Sequence, residues 1–323
     1  MEILVCGGAG YVGAHAACYL AGLGHRVTVL DNLSTGHRAA VRWGELIEAD
    51  LLDPAALDAA LDRPVDAVMH FCAKSLVGES VQDPYTYYRN NVTGTLNLLE
   101  AMRRRGVNRL VFSSTAAIFG NPVSDTIDED HPKAPINPYG DSKWMVERML
   151  ADAARAYGLR SVSLRYFNAA GAAPEHGIGE SHTPETHLIP NVFRAILGTG
   201  PALNVFGDDY PTRDGTCIRD YVHVLDLAAA HARALDWMQA HDGAHVFNLG
   251  NGAGFSVREV IQAAERVAGA PVPHTMAERR AGDPAVLVAS SQRAREQLGW
   301  QPRHAELDGI LRSAWAWHQA QAY

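Results

Sequence analysis

Short apolar runs alternate along the chain with longer stretches in which apolar residues recur every three or four positions. Glu2-Ile3-Leu4-Val5-Cys6 is the first run, short enough for one buried strand; it stops at Gly7-Gly8-Ala9-Gly10-Tyr11-Val12-Gly13, ahead of an alanine-rich helical stretch from Ala14 to Ala21. Further strands are predicted at Arg26 to Leu30, Leu46 to Ala49, Asp66 to Phe71, Arg109 to Phe112 and Ser161 to Arg165. Helices are predicted between them at Pro54 to Leu61, about Tyr85 to Arg105 and about Tyr139 to Tyr157. Strands joined by helical crossovers run parallel, so the pattern predicts an α/β fold with a doubly wound, Rossmann-type sheet.

Beyond Phe167 the alternation weakens. Residues 168–221 are rich in Gly, Pro, Asp and Thr, with one clear helix from Leu188 to Leu197. Val222 to Met238 then reads as a helix, His245 to Asn248 as a strand, and Val257 to Ala268 and Leu307 to Gln319 as helices. Loops this long are usually functional. The expected division is a dinucleotide-binding unit over 1–167, to which 222–250 returns, and a smaller, loop-rich C-terminal unit from 168–221 and 251–323 that holds the substrate.

The glycines give the first strand its chemistry. Gly7, Gly10 and Gly13 fit G-x-x-G-x-x-G and Gly8, Gly10 and Gly13 fit G-x-G-x-x-G, both of which place backbone N–H groups and a helix N-terminus against a pyrophosphate. The second strand ends in Asp31, where an acid meets the adenosine ribose hydroxyls and repels a 2′-phosphate. The expected cofactor is therefore NAD rather than NADP.

Composition removes other classes. The 323 residues suffice for a substantial core, and a net charge of −8 without a long basic run excludes nucleic acid and membrane surfaces as partners. The 4 cysteines show no C-x-x-C spacing and the histidines show no ligand spacing, so no metal is expected. Met1 leads straight into the first strand and no apolar run reaches membrane-spanning length, which predicts a cytoplasmic protein without a signal peptide.

A second constellation is Tyr139-Gly-Asp-Ser-Lys143. Asn137 can cap a helix whose first residue is Pro138, so phenol and ammonium share one helical face near its N-terminus, an arrangement expected to help the phenol ionise. Upstream, Arg109 to Phe112 runs out into Ser113-Ser114-Thr115, hydroxyls that belong at the carboxyl end of a strand.

Together these residues resemble those of the UDP-glucose 4-epimerases, a branch of the extended short-chain dehydrogenase/reductase family. The likeness continues through Arg165-Tyr166-Phe167-Asn168, the run from Phe206 to Thr216, Arg219 to Val224, Asn248-Leu249-Gly250 and Arg279-Arg280-Ala281-Gly282-Asp283. It implies that Tyr139, Lys143 and Thr115 carry the chemistry. It also implies that Gly7, Gly10, Tyr11, Val12, Gly13, Asp31, Asn32, Asp50, Leu51, Phe71, Ala73, Asn90, Ser113 and Phe167, with Tyr139 and Lys143, line the NAD site. Thr115, Asn168, His187, Leu188, Asn204, Phe206, Arg219, Arg280, Asp283 and Leu287 would hold a UDP-hexose. Four positions depart from the family pattern: Thr115 replaces a serine, Ser75 occupies the place of a loop lysine, His187 replaces an asparagine and Leu287 a tyrosine. The resemblance further implies a homodimer through the helices at 85–105 and 139–157. Alternative readings are a 4,6-dehydratase, a UDP-glucuronate decarboxylase and a non-catalytic NAD sensor; the absence of a carboxylate after Thr115, where Ala116-Ala117 stand, argues against the dehydratase.

Overall fold

The computed structural model describes residues 1–124, 126–280 and 283–323. In its N-terminal half, strands β1 (Glu2–Cys6), β2 (Arg26–Asp31), β3 (Glu45–Glu48), β4 (Ala67–His70), β5 (Arg109–Ser113) and β6 (Arg160–Tyr166) alternate with helices α1 (Tyr11–Gly22), α2 (Pro54–Ala60), α3 (Val77–Gln82), α4 (Pro84–Tyr87), α5 (Gly94–Arg105) and α6 (Pro138–Tyr157). The stretch read as one helix from Tyr85 to Arg105 is interrupted: α4 ends at Tyr87 and a π-helical turn spans Tyr88–Thr93. The widened turn buries the Asn91 side chain, and the Thr95 hydroxyl donates to the Asn91 carbonyl at 2.6 Å.

The C-terminal half contains β7 (Asn168–Ala170), α7 (Leu188–Leu197), β8 (Leu203–Phe206), β9 (Ile218–Arg219), β10 (Tyr221–His223), α8 (Val224–Ala240) and β11 (Ala244–Leu249), then β12 (Phe255–Ser256), α9 (Val257–Ala268), β13 (His274–Ala277), β14 (Val286–Leu287), α10 (Gln292–Gln297) and α11 (Leu307–Gln319). The helix expected from Val222 starts two residues later, because Tyr221–His223 pairs in parallel with β7. The other short strands form a two-stranded pair, β8 with β13, and a three-stranded sheet in the order β12-β9-β14.

Seven strands, all parallel, make the main sheet in the order β11-β6-β5-β4-β1-β2-β3. Successive strand residues face opposite sides, and both faces are buried. Ile3, Val5, Met69, Val111, Val162 and Phe247 pack under α1 and α8, while Leu4, Leu30, Val68, Leu110 and Phe112 pack with Leu57, Leu98 and Leu150 from α2, α5 and α6. A separate core of Ile189, Val192, Phe193, Val260, Ala264, Ile310 and Leu311 joins α7, α9 and α11 into the smaller C-terminal part. The carboxyl ends of β1, β2, β4, β5 and β6 thus open toward the loops that follow β6.

Candidate active site

The turn after β1 requires glycine. Gly7 has φ +83° and an added Cβ would lie 2.7 Å from the Cys72 nitrogen; a Cβ on Gly13 would lie 2.1 Å from the Gly7 carbonyl oxygen. A Cβ on Gly8 would lie 2.8 Å from the Val29 side chain, whereas one on Gly10 would meet nothing nearer than 3.4 Å, so the tight positions are Gly7, Gly8 and Gly13. Gly10 caps α1 without any side chain accepting from its first turn, which leaves backbone N–H groups to meet an anion. Beside it, the Asp31 carboxylate accepts from Ala9 N at 2.9 Å and Leu33 N at 2.8 Å. Burial raises its pKa, the two N–H groups oppose that, and lone pairs remain for ribose hydroxyls. Asn32 donates to Asp50 at 2.7 Å, closing the same edge. A glycine cradle, a helix N-terminus and a buried acid on adjacent strands fit an NAD adenosine and pyrophosphate.

Deeper along the strand ends, Asn91 is the organising amide. It accepts from Lys74 N at 2.9 Å and donates to the Lys74 carbonyl at 3.0 Å and the Ser142 hydroxyl at 3.0 Å; Asn90, the residue expected at the cofactor, donates to Asn91 at 2.9 Å. Asn91 is missed by sequence reasoning because only the π-helical turn decides which of the adjacent asparagines faces inward. Phe71 lies against His231 with ring centres 4.7 Å apart, and Leu51 and Val12 pack into the two sheet cores. Ala73 follows β4 at intermediate exposure.

Tyr139 and Lys143 sit in the first turns of α6, capped by the Asn137 side chain on Gly140 N at 2.9 Å. The expected ionisation of the phenol is not what the protein alone provides. Burial raises the Tyr139 pKa, and the nearby Thr115 hydroxyl only partly offsets it. Lys143 donates to the Ser113 carbonyl at 2.8 Å and lies 4.7 Å from the centre of the Phe112 ring. Burial lowers its pKa to about 7, with the nearby Cys72 and Glu147 opposing. The Ser113 hydroxyl meets the Tyr166 hydroxyl, and Thr115 caps the turn after β5 by accepting from Ala117 N at 3.1 Å. Beneath this group Glu147 of α6 accepts from Ser114 at 2.6 Å and from Arg165 of β6 at 2.9 Å, all of them buried.

The residues expected at the substrate form smaller sets on the facing loops. Arg219 pairs with Asp283 and donates to the Pro284 carbonyl at 2.9 Å; the Arg280 guanidinium stands 3.9 Å over the Phe206 ring. Asn168 donates to the Asp220 carbonyl at 2.9 Å. Leu287 and Phe167 pack against Ala116, Ile118, Phe119 and Ile127, immediately after Thr115. Asn204 is exposed and accepts from Thr275 at 3.0 Å, and Leu188 starts α7 against the third core. His187 turns to Glu180 and Glu185, its Nδ1 3.0 Å from each carboxylate. Ala281 and Gly282 lie outside the described residues.

The geometry offers a dinucleotide cradle at the strand ends, a half-buried tyrosine near the Thr115 hydroxyl, and Arg219 and Arg280 on the later loops, a set of parts that suits an enzyme oxidising a diphosphate-linked alcohol. A UDP-glucose 4-epimerase of Halalkalibacterium halodurans is 49% identical over 320 residues, covering 99% of this chain and 96% of that one. A UDP-glucose 4-epimerase from Brucella ovis, solved in complex with NAD, superposes with a TM-score of 0.95 at 50% identity over 97% of both chains. A UDP-Glc/GlcNAc 4-epimerase of Campylobacter jejuni superposes with a TM-score of 0.87 at 43% identity over 98% of this chain and 99% of that one. Residues 3–250 match the family model for the NAD dependent epimerase/dehydratase family, and the chain belongs to that family.

Proposed function

We propose that the protein interconverts UDP-galactose and UDP-glucose with NAD held between turnovers. The reading rests on one observation above all: Tyr139, Thr115 and Lys143 converge at the carboxyl end of β5, beside the glycine cradle of β1, in a chain of this family. Bound NAD supplies a hydride acceptor and donor and, in its oxidised form, the positive ring that offsets the burial of the phenol. Gly7 to Gly13, Asp31, Asn32 and Asp50 hold its adenosine and pyrophosphate. Tyr139 takes the proton of the sugar 4-hydroxyl and later returns it, with Thr115 bonded to the same oxygen and Lys143 supplying charge on the same helical face. Epimerisation requires the sugar to present both ring faces, so binding must be concentrated on the UDP. Arg219 and Arg280 give the diphosphate charge-assisted contacts that leave the hexose free to turn.

Denaturing the purified protein and assaying the supernatant for NAD, then supplying UDP-galactose to native protein, tests the reading. About one NAD per chain together with formation of UDP-glucose is expected; no bound NAD and no interconversion overturns it. Release of CO₂ from UDP-glucuronate would establish a decarboxylase instead.

Two finer readings belong to the same proposal. Leucine at 287, packed beside Phe119 and Phe167, leaves more room than tyrosine would, so UDP-GlcNAc and UDP-GalNAc are interconverted as well. The exposed apolar Leu96 of α5 and Met145 of α6 support a homodimer through these helices, and Leu96→Glu with Met145→Glu should sediment as a monomer.

A further inference from the structure

The spacing of the histidines predicts no ligand set, yet the segment between β7 and α7 gathers Glu180, His182, Glu185 and His187. One potential ligand atom from each lies within 4.8 Å of all the others. The Nδ1 of His187 is 3.0 Å from a carboxylate oxygen of Glu180 and of Glu185, and the Nδ1 of His182 is 3.5 Å from each carboxylate. Four donors at zinc bond lengths of ~2.0–2.2 Å define a tetrahedron with six edges of roughly 3.3–3.6 Å. The histidine–carboxylate separations lie within a few tenths of an ångström of that range, and the four donors, within 4.8 Å of one another, have to draw together by up to about 1 Å around an ion.

The alignment of His182 favours a cation over a pair of ordinary ion pairs, and the burial of the carboxylates calls for two positive charges, which an ion or two imidazoliums can supply. The His182 Nδ1 is buried and, although near both carboxylates, is aligned for a hydrogen bond with neither. The Glu180 and Glu185 side chains are 7% and 3% exposed, two like charges taken out of water side by side, which a divalent ion neutralises at once. The donors are also held in place. Glu185 accepts from the backbone N–H groups of Thr186 at 2.8 Å and His187 at 2.9 Å; the Glu180 carbonyl accepts from Trp317 at 2.9 Å, and the Ser181 carbonyl bonds His37 at 3.2 Å.

We propose that Glu180, His182, Glu185 and His187 form a binding site for a divalent transition ion of zinc type. Two imidazoles and two carboxylates suit zinc, and with all four positions filled by protein the ion is structural rather than catalytic. Its place is telling. The Tyr11 ring meets the His182 ring edge-on at 6.4 Å, and the Tyr11 hydroxyl donates to the Gly171 carbonyl at 2.6 Å. The ion fastens the segment leading into α7 beside the glycine turn of the cofactor site, and His187 serves it instead of the substrate.

Untagged holoenzyme loaded with Zn²⁺ and desalted is expected to retain about one ion per chain by mass spectrometry, against less than about a tenth in the Glu185→Gln/His187→Gln double variant. Zn²⁺ should also raise the melting temperature of the wild type by a few degrees and chelator should reverse this. Should the variant not fold, Co²⁺ added to the wild type gives a second reading: visible absorption bands of a four-coordinate ion, displaced by Zn²⁺. Wild type that retains no zinc, a folded double variant that retains as much as wild type, or Co²⁺ without those bands overturns the proposal and leaves two imidazolium–carboxylate pairs.

Discussion

Tyr139 is half-buried and desolvation holds its phenol above its usual pKa, so for the base role proposed for it the ionisation has to come from the charges around it, the bound cofactor among them. Replacement by Phe removes the ionisable hydroxyl and keeps the ring. The expected result is a kcat reduced on the order of 10²–10⁴-fold with NAD content unchanged; near wild-type turnover would exclude Tyr139 as the base. Arg280 makes a different prediction. Its guanidinium lies over the Phe206 ring, and the diphosphate contact proposed for it would be present equally in ground and transition states, so Arg280→Ala should weaken UDP and UDP-sugars by about the same factor and leave kcat alone. On the proposed function Leu287 would bear on which sugars fit. Comparing kcat/KM for the acetylated and non-acetylated sugar pairs in wild type and Leu287→Tyr should reveal a selective loss of the acetylated pair, and equal discrimination in both proteins would remove Leu287 from the argument.

Helix α6 carries Tyr139 and Lys143, and one buried ion pair fixes it to the sheet. Glu147 and Arg165 are 3% and 2% exposed, and Ser114 shares the same carboxylate. Removing one partner strands the other charge, so Glu147→Ala should cost about 3–5 kcal/mol in urea denaturation, while Glu147→Leu with Arg165→Met should recover most of it. If the single and double variants are equally unstable, the loss is one of packing and not of charge. At this scale the sequence was informative wherever a strand was long and buried on both faces: β1, β2, β5 and β6 follow from their apolar runs, and α7, α9 and α11 from periodicity and flanking residues. It was silent where tertiary partners decide. Val222 sits among residues compatible with α8, and only pairing with β7 makes Tyr221–His223 a strand. The π-helical turn at Tyr88–Thr93 leaves no mark that separates Asn90 from Asn91. Tyr139 and Lys143 could be read from their helical spacing, whereas the four-residue Glu and His cluster depends on the path of an irregular loop.

The molecule as a whole keeps four histidines neutral in its interior. Burial lowers the pKa of His15 and His231 to about 4 and of His70 and His223 to about 3. Unfolding returns them toward ~6.5, so below that pH the unfolded chain binds more protons and stability falls as pH drops toward 4. Each contributes a slope of up to about 1.4 kcal/mol per pH unit, complete above ~6.5 and lost through the folded values. Urea denaturation at intervals from pH 7 to 4.5 should show this decline, and a flat profile would be incompatible with buried neutral rings. The sheet order has a consequence for biogenesis. β6 pairs with β5 on one side and on the other with β11, which is made only after the chain has passed through the whole segment containing α7 and α8. At a ribosomal pace of about 5–20 residues per second, the nascent sheet therefore waits for seconds with an open parallel edge. Such an edge is a template for pairing with another chain, so fragments released before Ala244 should aggregate, and synthesis in crowded cells favours a chaperone that shields β6 until its neighbour arrives.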